Sequence, residues 1–233
     1  GEHVPLADLE SKFDAVFVGA GLGADSALNI PGESLPGVVG AVQWIEHIKR
    51  SKATLDGVSR CVVVGGGNTA IDAVREAIGL GIPRVTMLYR GSEAGMSGYE
   101  HEWDAAKQQG AIGEWKALPT AFEGTGKVQR IRCQRLDDTK KPIAGSDFTV
   151  EADLVLVAIG QSKLGQMLGS LSGITIDKGR VITDARGFTG RTKWYAGGDC
   201  TNGGKEVVNA AAEGKAAAHA IHEFLGAKGA RHG

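Results

Sequence analysis

The residues in this chain best suited to chemistry are glycines placed directly after short apolar runs, where a bare backbone can approach a phosphate closely. Two such places occur. Val62–Val64 leads into Gly65, Gly66, Gly67, Asn68, Thr69 and Ala70, and Ala15–Val18 leads into glycines at 19, 21 and 23. A dinucleotide-binding turn reads G-x-G-x-x-G/A, with a strand before it and a helix after it. The first glycine makes the turn, the second lets the backbone meet the pyrophosphate, and the third small residue packs helix on strand. The phosphates then lie at the helix N-terminus, on outward-pointing N–H groups. Gly65, Gly67 and Ala70 fit these places, and Asn68 and Thr69 are residue types that cap helices. The alternative for this turn is a glycine-rich strand–helix connection without a ligand. The earlier glycine set fares worse. Asn29-Ile30-Pro31-Gly32 interrupts the segment downstream of it, and proline inside a helix costs about 3 kcal/mol. It reads as a strand leaving one domain for a linker.

The next strand should end in the residue that reads the ribose. An acid there accepts the 2′-hydroxyl of NAD, whereas arginine suits the 2′-phosphate of NADP. The segment MLYRGSE puts Arg90 at that place, followed by Gly91 and, close by, Glu93. Arg90 leans toward NADP(H), with NAD(H) left open; its bland alternative is a solvated strand-end charge.

Around these residues the apolar pattern predicts an α/β fold with a parallel sheet. Strands are expected at Asp14–Val18, Cys61–Val64, Val85–Tyr89, Ala152–Gln161 and Trp194–Gly197, and helices at Val38–Arg50, Thr69–Leu80 and Glu206–Leu225. Met96–Gln109 reads as loop then helix. Trp115–Glu123 and Val128–Leu136 read as an antiparallel pair on one edge, followed by a polar turn, DDTKKPIAGSD. Ile174–Ile176 and Arg180–Thr183 suggest a hairpin, and the tail from Ala227 should be mobile.

At 233 residues with net charge −1, the chain has a sizeable core and no electrostatic case for nucleic acid or an anionic membrane. No apolar stretch approaches the roughly 18 residues of a membrane span. Cys61, Cys133 and Cys200 are widely separated, which points to a reducing, cytoplasmic compartment and offers neither a C-x-x-C nor a metal motif. His101–Asp104 is not H-E-x-x-H, and His219 with His222 reads as a solvated helix face. The first residue is Gly1, in keeping with a trimmed chain or a fragment.

Taken in order, DAVFVGAG…NIPGE, VVVGGGNTAIDAVREAIGLGIPRVTMLYR, ADLVLVAIGQ and YAGGDC…GGKEVVNAAAEGKAAAHAI resemble the two-dinucleotide-binding flavoproteins. Within that family the likeness is to the small (beta) subunit of NADPH-dependent glutamate synthase and to the flavin/NAD(P)H part of dihydropyrimidine dehydrogenase. The resemblance covers nearly the whole chain. It implies a Rossmann-like NAD(P)H-binding domain, residues 39–160, inserted in a split FAD-binding domain made of residues 1–38 and 161–233. The family's N-terminal FAD fingerprint and iron–sulfur domain have no counterpart here, so the resemblance implies a C-terminal fragment in which FAD belongs to the intact protein. By resemblance, Gly198 and Asp199 face the FAD pyrophosphate and ribityl chain. Val207 and Asn209 begin a helix aimed at the flavin, and Gly160 ends a strand at the cofactor. The implied reaction is hydride transfer from NAD(P)H to FAD, with electrons passed to an iron–sulfur or catalytic partner. No acid/base residue is assigned, and homo-oligomer formation is left open. Alternatives are an isolated nucleotide-binding or docking module, a non-nucleotide scaffold, and a thioredoxin reductase-like enzyme, which the lack of C-x-x-C disfavours.

Overall fold

The structure, a computed structural model, describes residues 3–51, 55–163, 165–168 and 171–229. In chain order its elements are α1 (Leu6–Lys12), β1 (Val16–Val18), β2 (Val38–Gly40), α2 (Ala41–Arg50), β3 (Arg60–Val64), α3 (Asn68–Gly79), β4 (Arg84–Tyr89), α4 (Glu100–Gln108) and β5 (Ile112–Trp115). Next come β6 (Ala117–Glu123), β7 (Arg130–Leu136), β8 (Pro142–Glu151), β9 (Leu154–Val157), α5 (Gly165–Leu168), β10 (Ile176–Asp177), β11 (Arg180–Val181), β12 (Trp194–Ala196), α6 (Asp199–Asn202) and α7 (Val207–Gly229). The chain divides into two units: residues 24–161, and residues up to 23 together with those from 162 onward.

Residues 24–161 are built on a parallel sheet in the order β2-β9-β3-β4-β5. Parallel strands are buried on both faces, so both faces need a cover. Alternation along β3 assigns them. Cys61 and Val63 join Ile71, Val74, Met87 and Trp103 under the helices α2, α3 and α4. Val62 and Val64 join Leu88, Ile131, Cys133 and Val155 under the antiparallel sheet β6-β7-β8. The expected edge ribbon is thus a three-stranded layer over the second face. Its third strand, β8, lies where a polar turn was expected. Phe148 and Val150 point inward and alternate with exposed Asp147, Thr149 and Glu151, as an outer strand requires. β5 was not expected separately; it extends the parallel sheet beyond β4.

The expected helix over Val38–Arg50 starts later. Residues 38–40 pair with β9, and α2 begins at Ala41. The cap comes from far away in sequence: the Asp25 carboxylate accepts the Val42 and Gln43 N–H groups at 3.2 and 3.0 Å. Gly40 makes room for it, since a Cβ there would stand 2.2 Å from the Asp25 carboxylate. The unit also begins earlier than residue 39. Leu28, Ile30, Leu35 and Val38 pack on the second core, and the Phe122 N–H donates to the Pro31 carbonyl at 2.8 Å.

In the other unit β1 pairs in parallel with β12, Val16 opposite Trp194. Val18, Leu168, Val181, Trp194 and Ala196 form its core. No helix comes after the glycines that end β1, in line with a strand that leaves for a linker. β10 and β11 form the expected hairpin. Of the tail, residues 227–229 are the last of α7, and residues 230–233 lie outside the described ones.

Asp153 ties β3 to β9. Its carboxylate accepts the Ser59 and Arg60 N–H groups at 3.1 and 3.0 Å and the Arg60 guanidinium at 2.8 Å. Arg60 holds the Asp153 carboxyl below its ordinary value, against the opposing effect of partial burial. A lowered pKa gives stability that is fully present above the unfolded value of about 3.9 and is lost as pH falls through the folded value. Asp153→Ala should therefore cost about 1 kcal/mol at neutral pH, the size expected of charge-assisted hydrogen bonds to half-exposed donors. Urea unfolding should show that cost shrinking toward zero as pH falls below the unfolded value.

Candidate functional site

A cleft of about 500 Å³ opens at the carboxyl ends of β3, β4 and β9. From β3 the chain proceeds to β4 and β5 on one side, while β9 lies on the other, so the cleft sits at a switch point of the sheet. Gly65, Gly66, Gly67 and Thr69 line one wall, Tyr89, Arg90 and Ser97 another, and Pro119, Ile159 and Gly160 a third.

The three glycines of the turn differ in what requires them. Gly65 has φ +149°, and a Cβ there would lie 2.2 Å from the Ala158 carbonyl oxygen. A Cβ on Gly66 would strike the Tyr89 ring at 2.6 Å. Both are required by the fold. Gly67 is not: its φ of −98° suits any residue, and a Cβ would meet only the Ser97 hydroxyl, at 3.5 Å. Space beside Gly67 is therefore kept open by no neighbour in this chain. Among the described residues, the N–H groups of Gly66, Gly67, Asn68 and Thr69 have no protein acceptor, whereas the Ala70 N–H returns to the Gly67 carbonyl at 2.9 Å. Ala70 itself is fully buried against the sheet, the small residue that lets α3 approach.

Asn68 and Thr69 do not cap α3, whose N-cap is Gly67 with no side-chain bond. The Asn68 side chain instead accepts the Tyr99 N–H at 2.9 Å. It thereby fastens the segment after β4 to the glycine turn. The same segment gives the Ser97 and Gly98 N–H groups to the Gly66 carbonyl at 3.1 and 3.0 Å. The Tyr89 hydroxyl donates to the Gly95 carbonyl at 3.1 Å. Arg90 is exposed at the end of β4 and makes no ion pair among the described residues. Glu93 does not face an open site: its carboxylate accepts the Trp103 indole N–H at 2.8 Å and pairs with Lys107 at 2.7 Å. Gly160 is exposed at the cleft with φ +109°.

The remaining expected site residues belong to the other unit. Gly198, at φ +77°, starts α6, and its position packs against Ala210 of α7. The Asp199 carboxylate accepts the Lys205 N–H at 3.3 Å, and Asn209 accepts the Glu206 N–H, also at 3.3 Å. Asn209 is thus the side chain at the head of α7, beside Val207, which is 81% exposed. Glu213 escaped the sequence reading. Its carboxylate accepts the Gly198 N–H at 2.6 Å, the Thr201 hydroxyl at 3.0 Å and the Asn202 amide at 3.1 Å. Burial works against the charge, but these donors outweigh it and hold the Glu213 carboxyl below its ordinary value. One turn of α7 thereby fixes the shape of the Gly198–Asn202 turn. Only its position two turns into a glycine-flanked, alanine-rich helix hinted at this.

All three cysteines are buried, and burial pushes the Cys61 and Cys133 thiols up to about 12. Thiols so protonated are poor nucleophiles. No group of metal-ligating side chains occurs among the described residues, and none of their helices is long and apolar enough to cross a membrane.

The family model described as pyridine nucleotide-disulphide oxidoreductase matches residues 5–214. AegA of Escherichia coli strain K12 is 36% identical over 98% of this chain and 38% of its own length. The glutamate synthase [NADPH] small chain of the same organism is 32% identical over 97% of this chain and 53% of its own length. The chain therefore spans about half, or less, of these relatives. FprA from Mycobacterium tuberculosis in complex with NADPH shares the fold, with a TM-score of 0.71 at 21% identity over 98% of this chain and 68% of that one. The two-dinucleotide-binding architecture expected from the motifs is thus the observed one. With a family match over most of its length, the chain belongs to the pyridine nucleotide-disulphide oxidoreductases.

Proposed function

We propose that residues 24–161 bind NADPH across the Gly65–Ala70 turn, and that the flanking unit supplies part of an FAD site. In this reading electrons leave the flavin for an iron–sulfur centre in a partner domain or subunit. When bound, the two cofactors supply the chemistry, a hydride passing from nicotinamide to flavin, and the protein supplies placement. The observation that carries the reading is the space beside Gly67. The fold does not need a glycine there, yet glycine stands at the N-cap of α3, among four N–H groups without a protein acceptor. Those N–H groups and the helix dipole suit a diphosphate. Gly65, Gly66 and Ala70 shape the turn, Asn68 and Thr69 supply backbone N–H groups, and Arg90 offers a guanidinium to a 2′-phosphate.

The flanking unit fits a flavin in part. The Gly198–Asp199 turn, held by Glu213, leaves the Asp199 carboxylate partly exposed, and the exposed Val207 and the head of α7 provide an apolar and a positive surface. A helix N-terminus stabilises negative charge of the kind a reduced flavin carries. The small-chain name of the glutamate synthase relative supports a subunit that works with a companion. Buried, protonated thiols argue against the thioredoxin reductase-like alternative.

Fluorescence titration of the purified chain with NADPH and NADH tests the nucleotide site; binding of neither would end this reading. Gly67→Val should leave the melting temperature within a few degrees of wild type and weaken nucleotide binding at least about 100-fold, since the added side chain costs the phosphate contacts rather than the fold. Arg90→Ala should raise the Kd for NADPH about 10-fold and that for NADH by less than half as much, by loss of a charge-assisted pair. Equal effects would remove Arg90 from ribose recognition. An absorbance band at about 450 nm in the purified chain would assign flavin binding to these residues alone. A colourless chain would place the flavin in a longer protein.

A further inference from the structure

Glu93 lies three residues past Arg90, so the two Cα atoms are at most about 11 Å apart. An acid in this neighbourhood favours NAD: it accepts a ribose 2′-hydroxyl and repels a 2′-phosphate. The sequence thus carries opposing signals, an arginine and an acid, within four residues. The structure separates them. The Glu93 carboxylate is taken by two donors of α4, the indole N–H of Trp103 at 2.8 Å and the ammonium of Lys107 at 2.7 Å. Trp103 is 1% exposed and packs edge-on against Trp115, with ring centroids 5.5 Å apart, so its N–H has a fixed direction. Lys107 is in turn steadied by Asp104 at 2.9 Å. The backbone around Glu93 is pinned as well, by Tyr89 on Gly95 and by Ser97 and Gly98 on Gly66. Arg90 has no comparable partner among the described residues and remains on the cleft.

We propose that Trp103 and Lys107 are specificity-determining residues: by clamping Glu93 against α4 they keep its charge away from the ribose end of the cleft and so favour the 2′-phosphorylated nucleotide. This rests on the reading of the cleft as a nucleotide site. Lys107 and then Trp103 hold the Glu93 carboxyl below its ordinary value, so it is an anion at neutral pH. Released from the clamp it stays an anion, free to swing toward Arg90. There it would compete for the guanidinium and repel a phosphate. A 2′-hydroxyl suffers neither effect and gains an acceptor.

The test is the ratio of Kd for NADH to Kd for NADPH, measured by titration in low salt. Lys107→Met, at a half-exposed position, should lower that ratio about 3- to 10-fold, the size expected of one charge acting across partly solvated space. Trp103→Phe removes a donor without changing net charge and should lower it in the same direction. Adding Glu93→Gln to Lys107→Met should return the ratio to within about 2-fold of wild type, because the neutral amide repels nothing. A folded Lys107→Met protein with an unchanged ratio would overturn the clamp as a specificity device. So would equal weakening of both nucleotides, or a double variant that fails to recover. Wild-type protein that binds neither nucleotide would overturn the cleft reading itself, and this proposal with it. Tight wild-type binding with an unmoved ratio would remove the clamp alone.

Discussion

The cleft of residues 24–161 depends on a single missing Cβ. At the top of β3 the backbone of Gly65 passes over the carbonyl of Ala158, at the top of β9, where any side chain would stand 2.2 Å from that oxygen. The two strands are already joined there by the Ala158 N–H on the Val64 carbonyl at 2.8 Å, and Gly65 donates to Leu88 of the next strand at 3.0 Å. With three strand ends fixed in this way, the chain turns directly into α3 and leaves the first N–H groups of that helix pointing into open space. The cleft is the outcome of that turn. The sheet beneath it is covered on both faces, by helices on one side and by β6-β7-β8 on the other.

How much of this could be read from the sequence depended on the distance over which each cause acts. β3, α3 and β4 were legible because apolar period and glycine placement are local, and the observed elements lie within a residue of those expected. The start of α2 was not, because its cap is Asp25, and a carboxylate that folds back from another segment leaves no mark in a helical window. β8 was hidden by Asp137, Lys140, Lys141 and Pro142 in and around its turn, and its inward set is short. Among the site residues, the glycines and Arg90 were visible as a motif. Their unequal duties were not, since only the surroundings distinguish Gly67 from Gly65 and Gly66. Glu213 and the Trp103–Lys107 pair were missed for a related reason. Each acts through another residue, and nothing in residue type alone announces that.

The family bears the word disulphide in its description, but this chain carries its thiols as small core residues. Cys61 lies under α2 and α3, Cys133 on the inner face of the antiparallel layer, and Cys200 in the core of the flanking unit. Polar side chains are few in the cleft as well, where glycine backbone and apolar walls dominate. Such a surface orients bound groups and contributes little acid or base of its own. That accords with an enzyme class whose reactivity is brought in by its cofactors.

The division of the chain also bears on how it assembles. β1 cannot find its neighbour until Trp194–Ala196 has been synthesised, and closing so long a loop is entropically slow. Residues 24–161 form a contiguous stretch whose own ends meet, Asp25 bridging to Gln161. With that stretch folded, the loop between Val16 and Trp194 is reduced to the residues outside it, which lowers the entropic cost of pairing β1 with β12. The insertion thus serves as an internal scaffold for the unit it interrupts.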